Sequence, residues 1–502
     1  MNSLDENVPS RKGERIVRRT VVDIGSNTVR LVIYGGPPRA PQIVHNEKVS
    51  ARLGRELSET GIIPDKAASM ALDALRRYAL LVEDWGVQDV TVVATAAVRD
   101  ASNGREFLEA VRATGFAPRL LSGREEAETS AEGVLGAFPG AQGIVADLGG
   151  GSLELVNFGR GSVSHGISAE LGTLRLPALR GKNPARTGAN IGKILRGSGF
   201  EVQSGQVLYL VGGSLRAFGR LVMVQTGSPL EDSHGFEVDT ETARRIAARI
   251  ADRKPAELGP IPGVSSSRLA MLPDAAALLL ELIDMLAPSE LVFSAWGLRE
   301  GLLHRAMTPK TRSRDPLLSG VSEFSASHGV PLQLATILAG WIAAVHNGKE
   351  ADREHLRLVA IMLGLASRRL ETNLRDRHVI DWALHKRWIG IRPKERAMLA
   401  AALLAQNGKT TLPAELGKLC DAGALHDAQA WGFAIRLCRR LAGCSIRSLV
   451  GSKLSIEEGT LVLRLAEDLL PLFTDGSRKD LRILAEHLDL DYRQDILSSQ
   501  SR

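Results

Sequence analysis

Two short glycine turns and one glutamate carry residue types suited to phosphoryl chemistry. The turns read "DIGSNT" (23–28) and "DLGGGS" (147–152). Set without gaps, residues 23–34 lie on 147–158: Asp23 falls on Asp147, Gly25 on Gly149, Thr28 on Ser152, and Leu31-Val32 on Leu155-Val156. An exposed glycine turn lets successive backbone N–H groups point outward with no Cβ in the way, making a concavity for an anion. Gly25, Ser26, Asn27 and Thr28 in one copy, and Gly149, Gly150, Gly151 and Ser152 in the other, offer such donors with side-chain hydroxyls and an amide. Asp23 and Asp147 add hard oxygen ligands suited to Mg²⁺, which takes one or two carboxylates beside phosphate oxygens and water. Taken singly, each turn reads as a structural hairpin with a capping aspartate. The matched pair points instead to a phosphate chain and its metal held between two related halves.

Three further positions belong with the turns. Gly212, Gly213 and Ser214, in "VGGSLRAFG" (211–219), end a strand and open a helix, which brings free N–H groups to the positive end of a helix dipole. A tight strand–helix connection accounts for them equally well. In "LLSGREEAETSAEG", Ser122 and Glu125 have capping-box spacing, which ties Glu125 to the helix end and leaves Glu126 free. Glu126 then has two readings: a base that deprotonates a water for in-line attack on phosphate, or a first-turn acid favoured by the helix dipole. Arg99 follows a strand, where a guanidinium grips phosphate in a bidentate fork or pairs with Asp100 or Glu106.

The elements that must position these groups alternate. "TVVDIG", "VRLVIY" and "DVTVVAT" are β-branched runs of strand length, and Leu72, Leu75, Ala79 and Val82 mark one face of a helix between them. This alternation predicts an α/β fold with a mixed sheet and helices on its faces. A second unit starts near "GIVADLGGGSLELVNF" and runs to "ELVFSAWGLREGLL". The charged stretch 308–316, "TPKTRSRDP", lacks periodicity and reads as a linker. Beyond it, apolar helical runs dominate, with one short strand-like run, "GTLVLRL" (459–465). The expected organisation is a basic N-terminal tail (1–19), a first α/β domain (20–138), a second (139–307), the linker, and a mostly helical domain (317–502).

The totals narrow the class. The chain has 502 residues and a formal charge of +6, with 63 Lys and Arg against 57 Asp and Glu. Residues 310–502 hold 28 of the cations and 22 of the acids, so the whole excess falls in the helical third. That excess is either a solvated helical surface or one that attracts a polyanion. The N-terminus is polar and basic, unlike a secretory signal. The most apolar window, 269–287, contains three acids and a proline and reads as a buried helix rather than a membrane span. Three cysteines without ligand-like spacing suit a reducing compartment, and the cytoplasm is the expected location.

Together "DIGSNTVRLVI", "ATAAVRDASN", "LSGREEAE", "VADLGGGSLELV", "ISAELGTLRL", "LVGGSLRAFG" and "WGLREGLL" occur in the order seen in the Ppx/GppA phosphatases, and residues 20–305 resemble that family. The resemblance implies two ribonuclease-H-like, actin-like α/β domains with a cleft, a helical C-terminal region and a homodimer. It implies Glu126 as catalytic base, Asp147 as metal-associated carboxylate with Glu154 nearby, and both turns and Arg99 as phosphate-binding elements. It also implies a Mg²⁺-dependent exopolyphosphatase that releases orthophosphate from linear polyphosphate. The alternatives are hydrolysis of the 5′ γ-phosphate of guanosine pentaphosphate (pppGpp), a superfamily sugar or acid kinase, and a non-catalytic polyphosphate or alarmone sensor. Neither nucleic acid nor a membrane is an expected partner. Longer family members resemble HD-type phosphohydrolases in their last third. Here "AIMLGLASRRLETNLRDRH" has no His-Asp pair and His426-Asp427 stands alone, so no second metal centre is expected.

Overall fold

The computed structural model describes residues 18–180, 186–345 and 353–497. The basic tail read at 1–19 lies outside them except for Arg18 and Arg19, and Arg19 already opens the first strand. The chain forms two compact units. One comprises residues 1–218, 238–260 and 265–314; the other comprises 219–237, 261–264 and 315–502.

The first unit contains two sheets with the same opening topology. In the first, β1 (Arg19–Ile24), β2 (Val29–Gly35), β3 (Gln42–Val49), β4 (Asp89–Ala94) and β5 (Pro118–Leu120) lie in the order β3-β2-β1-β4-β5. β1 pairs antiparallel with β2 and parallel with β4. Helices α1 (Asp65–Asp84), α2 (Ala96–Asp100) and α3 (Gly104–Arg112) follow in sequence. Val22, Ile24, Leu31 and Ile33 point to one face of the sheet and join Leu75, Tyr78 and Phe107 in a closed core. The alternate residues Val21, Val32 and Tyr34 face the other way, as the two-residue period of a strand requires, and meet Leu303.

In the second sheet, β6 (Gly143–Leu148), β7 (Leu153–Gly159), β8 (Ser162–Ala169), β9 (Leu208–Val211), β10 (Glu237–Asp239) and β11 (Glu290–Phe293) lie in the order β10-β11-β9-β6-β7-β8. The echo seen in the sequence is an echo in register. Asp23 pairs with Arg30 across β1–β2, and Asp147 pairs with Glu154 across β6–β7. Helix α4 (Gly123–Ala137) packs Ala127, Ala131 and Val134 on Val145, Val156 and Phe158 of this second sheet. The boundary expected near residue 139 falls after this helix. Its apolar face belongs with the second core. The remaining helices of this unit include α5 (Gly213–Thr226, which runs on into the other unit), α6 (Thr240–Ala251), α7 (Leu272–Leu286) and α8 (Leu298–Arg305). α7 is the apolar window of the sequence, and its buried Asp274 is matched by Arg180 at 3.2 Å. α4 and α8 are tied by His304 to Glu132 and Arg305 to Thr129, both at 2.8 Å.

The stretch read as a linker is ordered. Thr308 caps a single turn at Pro309–Arg312, and Arg39 Nε donates to the carbonyls of Arg312 and Arg314 at 3.2 and 3.0 Å. In the second unit, α9 (Glu354–Ala366), α10 (Arg375–Ile380), α11 (Pro393–Gln406), α12 (Ala422–Ala442) and α13 (Asp475–His487) form a helical body. The strand-like run is the centre of a three-stranded sheet: β13 (Thr460–Leu465) lies between β12 (Ser452–Glu457) and β14 (Asp491–Ile496). Among the described residues, no helix is long and apolar enough to cross a membrane.

Candidate active site

Each turn reverses its strands through one backbone bond: Gly25 N–H donates to the Thr28 carbonyl, and Gly149 N–H to the Ser152 carbonyl, both at 3.0 Å. Each is braced from outside by a second loop. Gly54 and Arg52 donate to the carbonyls of Ser26 and Asn27 at 2.9 and 3.1 Å, while Thr173 and Leu174 donate to those of Gly149 and Gly150 at 3.0 and 2.9 Å. With their carbonyls committed in this way, the N–H groups of Ser26, Asn27, Gly150 and Gly151 bond no backbone carbonyl among the described residues. The two turns touch. A Cβ on Gly150 would sit 3.0 Å from Ser26 Cβ, and one on Gly151 would sit 2.7 Å from Ser26 Oγ. Gly172 backs the second turn so closely that a Cβ there would meet the Gly151 carbonyl carbon at 2.2 Å. Three glycines in this copy and Ser26 in the other are what allow the approach.

A cavity of about 300 Å³ opens beside the contact, lined by both turns and by Asp23, Glu126, Asp147 and Glu154. Gly212, Gly213 and Ser214, where β9 gives way to α5, line it as well. Every residue read in the sequence as a catalytic, phosphate or metal candidate therefore lines this space except one. Arg99 is not among the lining residues. Its Nη1 instead donates to Glu126 Oε2 at 3.0 Å and to the Leu121 carbonyl at 3.1 Å, and Nε lies 3.4 Å from Asp100. Of the two readings of Arg99, the structure shows the ion pair with Asp100 and adds a bond to Glu126: here the guanidinium holds the glutamate. The fork that fits phosphate fits carboxylate equally.

The capping box holds as spaced, with Ser122 Oγ accepting from Glu125 N–H at 3.2 Å and Ser122 N–H donating to Glu125 Oε2 at 2.9 Å. Glu126 beside it turns into the cavity. Burial raises its pKa to about 7 against the opposing pull of Arg99, and Asp147 and Asp23 push the same way as burial. Asp23 and Asp147 are also raised, first by burial. Glu154 is raised well above the carboxylate range by burial and then by the charges of Glu126 and Asp147. Each carboxylate is oriented: Ser130 donates its hydroxyl to Asp147, Ser168 donates to Glu154 at 2.9 Å, and Arg299 lies 3.7 Å from Asp23.

Among the described residues, no group of three or more His, Cys, Asp or Glu is arranged to cage a metal. The donor set nonetheless fits Mg²⁺, which keeps most of its water and needs only one or two carboxylates. Asp147 and Glu154 face each other across β6–β7, and their mutual repulsion is what a divalent cation would relieve.

Six cations that the sequence reading did not single out also line the cavity: Arg30, Lys48, Arg52, Arg216, Arg268 and Arg299. They come from separate strands, loops and helices, so no local spacing signalled them. Burial and the neighbouring Arg268 and Arg30 depress the Lys48 pKa, a sign of cations crowded without enough counter-charge. Arg299 is placed by α8, where Glu300 accepts from Tyr34 Oη at 2.7 Å and from Gly297 N–H at 3.2 Å.

This geometry coincides with a family match. Residues 32–310 fit the model of the Ppx/GppA phosphatase family. The chain belongs to the Ppx/GppA phosphatase family. Exopolyphosphatase 2 of Mycobacterium tuberculosis is 36% identical over 174 residues, covering 32% of this chain and 54% of that protein, so the chain spans about half that relative's length. An uncharacterized protein of Streptomyces coelicolor is 28% identical over 338 residues, 64% of this chain and 99% of its own. Among solved structures, the exopolyphosphatase from Cytophaga hutchinsonii superposes with a TM-score of 0.51 at 21% identity, covering 57% of this chain and 96% of that one. The Aquifex aeolicus PPX-GPPA enzyme gives 0.50 at 24% identity, covering 58% and 100%. These likenesses show the fold of the body, two actin-like α/β halves of the Ppx/GppA type, and a mostly helical C-terminal region follows it in this chain.

Proposed function

We propose that this family member is an exopolyphosphatase that removes the terminal phosphate of linear polyphosphate. The observation that carries the reading is the contact of the two turns at Ser26 and Gly150-Gly151, with Glu126 facing the same cavity. The N–H groups of Ser26, Asn27, Gly150 and Gly151, with the Thr28 and Ser152 hydroxyls, hold the terminal phosphates. Glu126 takes a proton from water as the water oxygen attacks the terminal phosphorus. The phosphoanhydride bond to the rest of the chain breaks, giving orthophosphate and a polymer shorter by one unit. A base that titrates near neutrality is matched to that task. Arg99 fixes its direction. Mg²⁺ at Asp147 with Glu154, and Asp23 opposite, would neutralise charge on the leaving chain when bound.

The lining favours a linear polyanion over a nucleotide. It holds six cations and, among the described residues, no aromatic side chain on which a guanine ring would stack. Side-by-side release of orthophosphate from long polyphosphate and from pppGpp tests this, with the higher kcat/KM expected for polyphosphate. Faster hydrolysis of pppGpp would reassign the substrate, and binding of either without turnover in the presence of Mg²⁺ would make the protein a sensor.

A further inference from the structure

The echo between the two glycine turns contains one reversed charge. Setting residues 23–34 on 147–158 without gaps places Arg30 on Glu154. Both positions keep their register: Asp147 lies opposite Glu154 across β6–β7, and Asp23 lies opposite Arg30 across β1–β2. Directly opposed residues of an antiparallel pair project from the same face of the sheet. The copy at 147–152 therefore presents two carboxylates side by side, and the copy at 23–28 presents a carboxylate and a guanidinium. All four residues line the one cavity. Glu154 reaches its turn, since a Cβ on Gly149 would lie 3.9 Å from Oε2. Arg30 leans the other way, its Nε donating to Asn46 Oδ1 at 2.7 Å.

A second guanidinium stands beside Asp23. The start of α8 meets both aspartates: a Cβ on Gly297 would lie 3.4 Å from Asp147 Oδ2, while Arg299 Nη1 lies 3.7 Å from Asp23 Oδ2. Tyr34, whose hydroxyl holds Glu300 next to Arg299, is on β2 four residues beyond Arg30. The strand that supplies one cation thus fixes the helix that supplies the other.

These contacts decide where an ion can sit. Two carboxylates side by side repel, and a divalent cation that needs one or two such ligands relieves them. At Asp23 the relief is built in, because the guanidinium of Arg299 is permanently charged. A divalent cation placed there would meet two like charges and a carboxylate that is already partnered.

We propose that the turn at 23–28 carries guanidinium groups where the turn at 147–152 takes a metal ion. Each chain then binds one divalent cation, at Asp147 and Glu154, and Arg299 is the fixed cation of the other half. Asp23 stands opposite that ion as the seat of Arg299. The catalytic part of the proposal rests on the hydrolase reading: Arg299 donates to a terminal phosphate oxygen as negative charge grows there. The metal count does not rest on it.

Titration of the full chain with Mn²⁺, free ion being followed by electron paramagnetic resonance without substrate, tests the count. Mn²⁺ suits the same oxygen ligands as Mg²⁺. One tightly bound ion per chain is expected. D147N is expected to weaken it by more than about tenfold, and D23N to leave it within about threefold of wild type. R30E/R299Q rebuilds the Asp–Glu pair at the first turn without its guanidinium groups and is expected to take two ions. R299Q alone is expected to keep one ion while kcat for orthophosphate release falls by about 100-fold. Two tightly bound ions in the wild type, equal weakening in D23N and D147N, or a single ion in R30E/R299Q would overturn the proposal. Undiminished kcat in R299Q would overturn its catalytic part.

Discussion

Arg99 donates to Glu126 Oε2 at 3.0 Å while standing outside the cavity that Glu126 lines. The pair places an acid in the cavity and its positioning cation behind it. Burial pushes the Glu126 pKa up, and Arg99 is the largest influence pulling it back. Removing Arg99 therefore raises the pKa further. R99L is expected to move the acid limb of the kcat/KM profile to higher pH by about one unit or more, and to lower kcat at pH 7 by about tenfold. A pH–rate profile of R99L with an unshifted acid limb would remove Arg99 from this role.

The close backing of the second turn is testable by adding one methyl group. A Cβ on Gly172 would lie 2.2 Å from the Gly151 carbonyl carbon and 2.4 Å from the Gly150 oxygen, both backbone atoms with no freedom to yield. G172A is expected to displace the turn, to cost about 1–3 kcal/mol in urea denaturation, and to lower kcat/KM by more than that loss of folded protein explains. Thr173 supplies a comparison, because T173A keeps the backbone bond to Gly149 and is expected to spare both quantities.

In the helical unit, Asp232 is bridged by both Nε and Nη2 of Arg387, the latter at 2.9 Å. Burial opposes ionisation of Asp232, but the Arg387 bonds and charge win and hold its pKa down to about 2. The sign follows from linkage: a carboxyl with a depressed folded pKa adds stability above its unfolded value near 3.8 and loses it as pH falls toward 2. Because Arg387 is 40% exposed, the contribution is screened to about 1 kcal/mol. Thermal melts of D232N are expected to fall below wild type at neutral pH and to converge with it near pH 2. A gap that persists at that pH would point to packing instead of the ion pair.

Much of this was legible because the relevant signals are local. The two turns are a residue-by-residue echo, and their identical strand registers follow from that echo. The capping box at Ser122–Glu125 freed Glu126 by elimination, as it does in the folded chain. What escaped is what spacing does not encode. An arginine after a strand suits carboxylate and phosphate alike, so spacing did not reveal the bond from Arg99 to Glu126. Lys48, Arg216 and Arg268 reach the cavity from β3, α5 and the short helix Ser266–Leu269 before α7, with no common motif. The strands β12 and β14 escaped because "SKLSIE" and "DYRQDI" carry charge at positions that face solvent along sheet edges, which dilutes the apolar alternation. Only the central β13, buried on both sides, reads as a strand.

The most direct test of the account is E126Q, which keeps the shape of the side chain and removes the proton acceptor. Orthophosphate release from long polyphosphate, followed with Mg²⁺ present, is expected to drop by at least about 100-fold. Polyphosphate affinity, measured by equilibrium binding on the same preparation, is expected to stay within about threefold of wild type, because the turns make the phosphate contacts. Near-normal turnover by E126Q would contradict the assignment of the base, and with it the account of the site.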